Sequence, residues 1–157
     1  QAGITPDVLT LAKPIAGGLP MGAVLLTKEI ADAIQPGDHG TTFGGGPFIA
    51  SVALHVLERL ADEKLLAHVR ETGAWFGAEL AALKQRSLRV RAVRGVGLMW
   101  GMDVTASAAD VVARARERGL LLVSAGEHTV RFVPPLVITR AELARGLLIF
   151  EDALGAA

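Results

Sequence analysis

The chain has 157 residues, with 16 basic and 16 acidic side chains, 51% hydrophobic residues and no cysteine. Balanced charge leaves no net field to gather nucleic acid or an anionic bilayer, and the lack of cysteine removes disulfides and thiolate metal sites. No apolar run reaches the roughly 18 residues of a membrane span, and no basic region with a cleavage site opens the chain; an unexported, cytoplasmic protein without metal, membrane or nucleic-acid partners is expected.

In chain order, DVLTLA is short, apolar and β-compatible, and runs into Lys13-Pro14, a dipeptide that disfavours helix at the lysine. Lys13 is therefore expected at a strand end. After the Gly17-Gly18-Leu19-Pro20 turn, GAVLLT reads as a buried strand, and Thr27 is placed to cap a short helix near Lys28. Residues 35–46 hold five glycines and no periodicity, which predicts a loop. Pro47 suits the first turn of a helix continuing to Leu60, and a second helical pattern covers 62–85. VRAVRGVGLMWGMDV turns strand-like, with Gly95, Gly97 and Gly101 permitting close backbone approach or a bulge. Ser107 with Asp110 and Thr139 with Glu142 form capping boxes for two further helices, and LLLVSAG and TVRFV read as strands between them. The order in this last part is strand, helix, two strands, helix. The basic stretches RSLRVRAVR and ARARERG lack interleaved aromatics and read as solvated faces.

Three positions carry chemistry. Lys13 follows an apolar strand and sits among Ala12, Ile15 and Ala16; partial desolvation there would favour the free, nucleophilic amine, although a lysine snorkelling from a loop fits the same segment. In HGTTFGGGP, Thr41 and Thr42 offer hydroxyls, and Gly44 to Gly46 let backbone N–H groups approach an oxyanion ahead of a helix N-terminus. The spacing is not that of a Walker loop, and a tight turn capped by threonine looks similar. An imine-forming amine and an anion-wrapping loop are the two contributions a pyridoxal phosphate site needs. Arg131 alternates with Val130 and Phe132, so it faces away from them, and its planar fork suits either a substrate carboxylate or a structural ion pair.

TPDVLTLAKPIAGGLPMGAVLLT, GDHGTTFGGGP, VRGVGLMWGM and VRFVPPLVI, in this order and at these separations, resemble the C-terminal portion of a class III pyridoxal-phosphate-dependent aminotransferase. The resemblance is nearest to the acetylornithine branch, with succinylornithine, ornithine and 4-aminobutyrate relatives as alternatives, and it covers essentially the whole chain. It implies an α/β fold: the C-terminal part of a fold-type I transferase, comprising the end of the large mixed-sheet domain over 1–61, a connecting helix over 62–87 and a small α+β domain over 88–157. It implies that Lys13 forms the internal aldimine with pyridoxal 5'-phosphate and then moves the substrate proton. Thr42 falls on the threonine that binds the cofactor phosphate of the neighbouring subunit in a homodimer with shared sites. Arg131 falls on the arginine that holds the α-carboxylate of glutamate or 2-oxoglutarate. The implied reaction passes the ω-amine of N-acetylornithine to 2-oxoglutarate, a step of arginine biosynthesis.

Two departures qualify that expectation. Gly46 stands where the family often has asparagine, which predicts a more pliable loop. Family members also run to about 400 residues, beyond a single-domain chain. The mean hydropathy of +0.42 is high for a free-standing domain of this size, and the opening QAGITPDVLT has no initiating methionine. A portion of a longer enzyme, inactive by itself, is the expectation; a truncated, non-catalytic assembly module is the reading from another class.

Overall fold

In the computed structural model, which describes residues 3–155, the chain divides between Asp62 and Glu63 into two units.

The first unit begins with strand β1 (Val8–Leu11), followed by a single 3-10 turn (Lys13–Ala16), strand β2 (Ala23–Leu26) and helix α1 (Lys28–Ala33). A long loop then leads to helix α2 (Pro47–Leu60). β1 and β2 form an antiparallel ribbon with Val8 opposite Leu26 and Leu11 opposite Ala23. The expectation of a buried β2 fails: Val24 is 61% and Leu25 50% exposed. The physical reason is that β1 is its one pairing neighbour among the described residues, so the ribbon lacks the flanking strands that would make it a sheet interior. Thr27 does occupy the N-cap of α1, but its hydroxyl makes no capping hydrogen bond. Burial in this unit centres on the 3-10 turn, where Ile15 and Ala16 are buried against α2. Ala53 is the buried residue of α2.

The second unit opens on helix α3 (Glu63–Arg86) and continues through strands β3 (Val90–Val96) and β4 (Met99–Val104), helix α4 (Ala108–Glu117), strands β5 (Val123–Ala125) and β6 (Thr129–Phe132), and helix α5 (Arg140–Gly155). The stretch expected to give one strand gives two, joined at Gly97-Leu98. Gly97 takes φ +56, in the left-handed region that a tight reversal uses and glycine tolerates. The four strands make an antiparallel sheet in the order β3-β4-β6-β5. The bulge lies between Val90 and Ala92, not at a glycine. Instead, the helix glycines serve close approach. A Cβ on Gly73 would stand 2.2 Å from the Gly97 carbonyl oxygen, and one on Gly77 would stand 2.4 Å from the Trp100 ring.

One face of the sheet is covered by helices. Phe76 and Leu80 from α3, Met102 and Val104 from β4, Val111 from α4, Val130 and Phe132 from β6, and Leu147 and Phe150 from α5 form one buried cluster. Phe132 meets Phe76 and Phe150 edge-on, with centroids 5.6 and 5.0 Å apart. The basic stretches are not simply solvated. Arg86 pairs with Glu151, Arg118 pairs with Asp152, and Arg114 Nε donates to the Ala153 carbonyl at 2.8 Å, so all three fasten to α5.

Both capping signals form. Ser107 accepts from the Asp110 N–H at 3.4 Å, and Thr139 and Glu142 are reciprocal: the Thr139 N–H donates to Glu142 Oε2 at 2.8 Å and the Glu142 N–H to Thr139 Oγ1 at 3.2 Å. Those bonds, led by the Thr139 backbone N–H, hold the Glu142 carboxyl below its ordinary range. A carboxyl depressed on folding lends stability that is complete above its unfolded value, about pH 4, and is lost as pH falls through the folded value. The Glu142 contribution to stability is therefore expected to stay constant from pH 7 to 5 and to fall away below about pH 4. Glu142→Gln should flatten part of the acid slope of the denaturation midpoint, and an identical slope in the variant would show that Glu142 contributes none of it.

Candidate active site

Lys13 lies two residues beyond β1 and is exposed. The expected strand-end position holds, while the expected partial desolvation does not occur within this chain. Its φ of +51 makes it the one non-glycine residue with positive φ among those described. The following proline explains why the lysine avoids the right-handed helical region. A left-handed lysine costs about 1–3 kcal/mol, and such conformations cluster at functional positions. The side chain is thus held out of the turn whose next residues, Ile15 and Ala16, are buried.

The threonine-glycine loop sits at the N-terminus of α2. Gly46 occupies the N-cap without a side-chain bond and Pro47 fills the first turn. The N–H groups of Phe48 and Ile49 consequently have no intrahelical acceptor, and the helix dipole adds partial positive charge there. The absent cap is what Gly46 in place of asparagine leaves. The Gly44 N–H donates to Thr41 Oγ1 at 3.2 Å, and a Cβ on Gly44 would lie 2.1 Å from Thr41 Cγ2, so the loop closes this tightly only with glycine. A cavity of about 370 Å³ opens here, lined by Met21, Gly22, Thr41, Phe43, Gly46 and Ile49 among others. Thr42 is exposed and does not line it, and neither does Lys13. Sequence reasoning missed Met21, Gly22 and Phe43; the signal available was the Gly-Leu-Pro-Met turn, whose return toward the loop periodicity does not encode.

Arg131 belongs to the second unit, on the sheet face opposite the core. It pairs with Gly101 on β4 and Val123 on β5, while its neighbours Val130 and Phe132 are buried. Its Nε is buried without a hydrogen-bond partner, and among the described residues Arg131 joins no ion pair. The same face carries Arg94, Asp103 and Thr129. Arg94 grips Asp103 with two bonds of 2.5 and 2.9 Å, and the Thr129 hydroxyl donates to Asp103 at 2.6 Å. Hydrogen bonding from Arg94 first, and then from Thr129, holds the Asp103 carboxyl below its ordinary range, while Asp103 raises the Arg94 guanidinium. This network was also missed by the sequence reading. Its signal lay in the registry that sets Arg94 opposite Gly101 and Thr129 opposite Asp103, which only strand pairing reveals.

Lys13 thus follows β1 in a turn packed on α2, and the threonine-glycine loop lies at the N-terminus of that same helix. The class III aminotransferase family model matches residues 1–154, and the chain belongs to that family, whose members are in general pyridoxal-phosphate-dependent transaminases.

Among the curated relatives, the acetylornithine aminotransferase of Gloeobacter violaceus is 47% identical over 151 residues, covering 95% of this chain and 38% of that protein. The mitochondrial acetylornithine aminotransferase of Alnus glutinosa is 46% identical over 154 residues, covering 98% of this chain and 34% of that protein. In solved structures, the acetylornithine aminotransferase of Elizabethkingia anophelis superposes with TM-score 0.88 at 34% identity, over 99% of this chain and 40% of that one. The ornithine delta-aminotransferase of Plasmodium falciparum gives 0.89 at 33%, over 98% and 40%. The chain therefore spans between about a third and two fifths of the length of these relatives.

The residues present fit the phosphate end of the cofactor: Gly45 and Gly46 line the cavity, with open space around Gly45, and the first N–H groups of a 14-residue helix lack intrahelical acceptors beside it. No helix among the described residues is long and apolar enough to cross a membrane.

Proposed function

We propose that this chain is the C-terminal portion of an acetylornithine aminotransferase that transfers the ω-amino group of N-acetylornithine to 2-oxoglutarate. The observation that carries the keto-acid half is Arg131, a half-buried guanidinium whose Nε has no partner. A buried donor left empty costs about 1–3 kcal/mol, which binding an anion recovers, and a carboxylate matches the guanidinium fork. The reading of Arg131 as part of a structural ion pair has no partner to support it among the described residues. Identities of 46–47% to two acetylornithine aminotransferases favour that donor over ornithine, succinylornithine or 4-aminobutyrate.

Pyridoxal phosphate, when bound, supplies the electron sink that lets a C–H bond beside nitrogen break. Lys13 would hold the cofactor through its side-chain amine and would serve as the base that carries the substrate proton. The N–H groups at the α2 N-terminus would bind and orient the cofactor phosphate. In the complete enzyme, Arg131→Ala should raise KM for 2-oxoglutarate by about 10-fold or more, the loss of a charged hydrogen-bonded pair. Unchanged keto-acid kinetics would refute the role, and a panel of ω-amino donors ranks the alternatives.

The enzyme is proposed to be a homodimer in which Thr42 binds the partner subunit's cofactor phosphate. Its exposure and its position outside the cavity of its own loop support that assignment. Hybrids of Lys13→Ala and Thr42→Ala subunits should regain one intact site per dimer. No recovery would place both residues in one subunit's site. A cytoplasmic setting is the proposal for compartment; the Alnus relative, named as mitochondrial, makes an organelle the alternative that fractionation would detect.

A further inference from the structure

The outward face of the four-stranded sheet holds two arginines and one carboxylate within two adjacent rows. Arg94, Gly101, Arg131 and Val123 are directly paired across all four strands, and Asp103 with Thr129 forms the next row. Asp103 and Arg131 are thus diagonal neighbours on adjacent strands, with α-carbons of such pairs about 7–8 Å apart, a span that an arginine side chain covers. Yet Asp103 does not take Arg131. Arg94 holds both of its oxygens, at 2.5 and 2.9 Å, and the Thr129 hydroxyl fills a further acceptor site at 2.6 Å. The Arg131 Nε stays buried and empty.

We propose that Arg94 is a positioning residue for keto-acid binding: by occupying Asp103 it prevents that carboxylate from capturing Arg131 as an internal anion. One carboxylate cannot serve two forks well, and the directly bidentate one wins. Arg131 then keeps its positive charge uncompensated on this face. Thr129 assists from β6 itself, two residues before Arg131 and on the same face, by tying its strand to the occupied carboxylate. The inference rests on the reading of Arg131 as the carboxylate site and adds to it the means by which that site is kept open. It also gives Asp103 a consequence beyond stability, because freeing it creates a competitor for substrate.

The test uses the full-length enzyme of which this chain is proposed to be the C-terminal portion, with two readouts: KM for 2-oxoglutarate, and calorimetric binding of glutarate, which has two carboxylates and no keto group. Arg94→Ala should raise KM and weaken glutarate binding by about 10-fold, the scale of one charged hydrogen bond, while kcat moves much less. Arg94→Ala combined with Asp103→Asn should return both readouts to within about 2-fold of the parent, because the competing charge is gone even though the pair is lost. Arg94→Lys, a point charge without a fork, should fall between. Should Arg94→Ala unfold, the double variant and Arg94→Lys still give the comparison. An unaltered KM in Arg94→Ala, or a defect that persists undiminished in the double variant, would overturn the inference and leave Arg94 a structural ion pair. If Arg131→Ala itself leaves keto-acid binding unchanged, the carboxylate reading fails and takes this inference with it; a large Arg131→Ala effect beside a silent Arg94→Ala sinks the inference alone.

Discussion

Lys13→Ala in the complete enzyme is expected to lower transamination by about 10²- to 10⁴-fold, the range a positioned proton-transfer group contributes, and to abolish the borohydride-reduced cofactor label expected on this lysine in the parent. Lys13→Arg should be as inactive, because a guanidinium keeps the charge but never offers a free amine near neutral pH. A half-active arginine variant would mean that Lys13 acts only as a cation. Lys13 also stands at φ +51, where a lysine is strained and a glycine is not. Lys13→Gly should therefore unfold no earlier than the parent while being inactive. That combination would separate the proposed catalytic lysine from a surface charge, for which relief of strain would carry no functional penalty. Recovery of the label on another lysine would refute the assignment outright.

The second unit was largely legible because its signals are local. Thr139 with Glu142 and Ser107 with Asp110 encode their own caps, and the alternation around Arg131 encodes which side chains face away from the core. What stayed hidden depends on pairing. Nothing in VRAVRGVGLMWGMDV states that the chain reverses at Gly97-Leu98, and without the reversal Arg94 and Asp103 are nine residues apart instead of two ends of one ion pair. Likewise, the exposed faces of Val24 and Leu25 look in sequence like a buried strand, since apolar β-branched runs report what a strand is made to be covered by, whether or not that cover lies in the same chain. Lys13, Thr42 and Arg131 stood out as candidates in sequence, and their proposed roles came with the family resemblance, whereas the partner that occupies Asp103 required the register.

Phe150→Ala should produce the largest loss of stability of any single truncation in the second unit, about 3–5 kcal/mol. The ring is fully buried, lies 5.0 Å from Phe132 in an edge-on contact, and closes α5 over the sheet face opposite Arg131. Truncation removes its transfer free energy and leaves a cavity between elements that are held on several sides, β6 by its ladder on both edges and α5 by Arg86, Arg114 and Arg118. These constraints limit how far the site can collapse, which places the cost toward the upper end. Leu148→Ala on the same helix is the control: that side chain is 70% exposed, so its truncation should shift the urea midpoint by less than about 0.5 kcal/mol. Equal effects of the two substitutions would refute the packing of α5. A loss confined to Phe150, accompanied by weaker keto-acid binding, would show that the floor on which β6 rests also sets the aim of Arg131, because the two residues that flank it, Val130 and Phe132, are the ones anchored in that core.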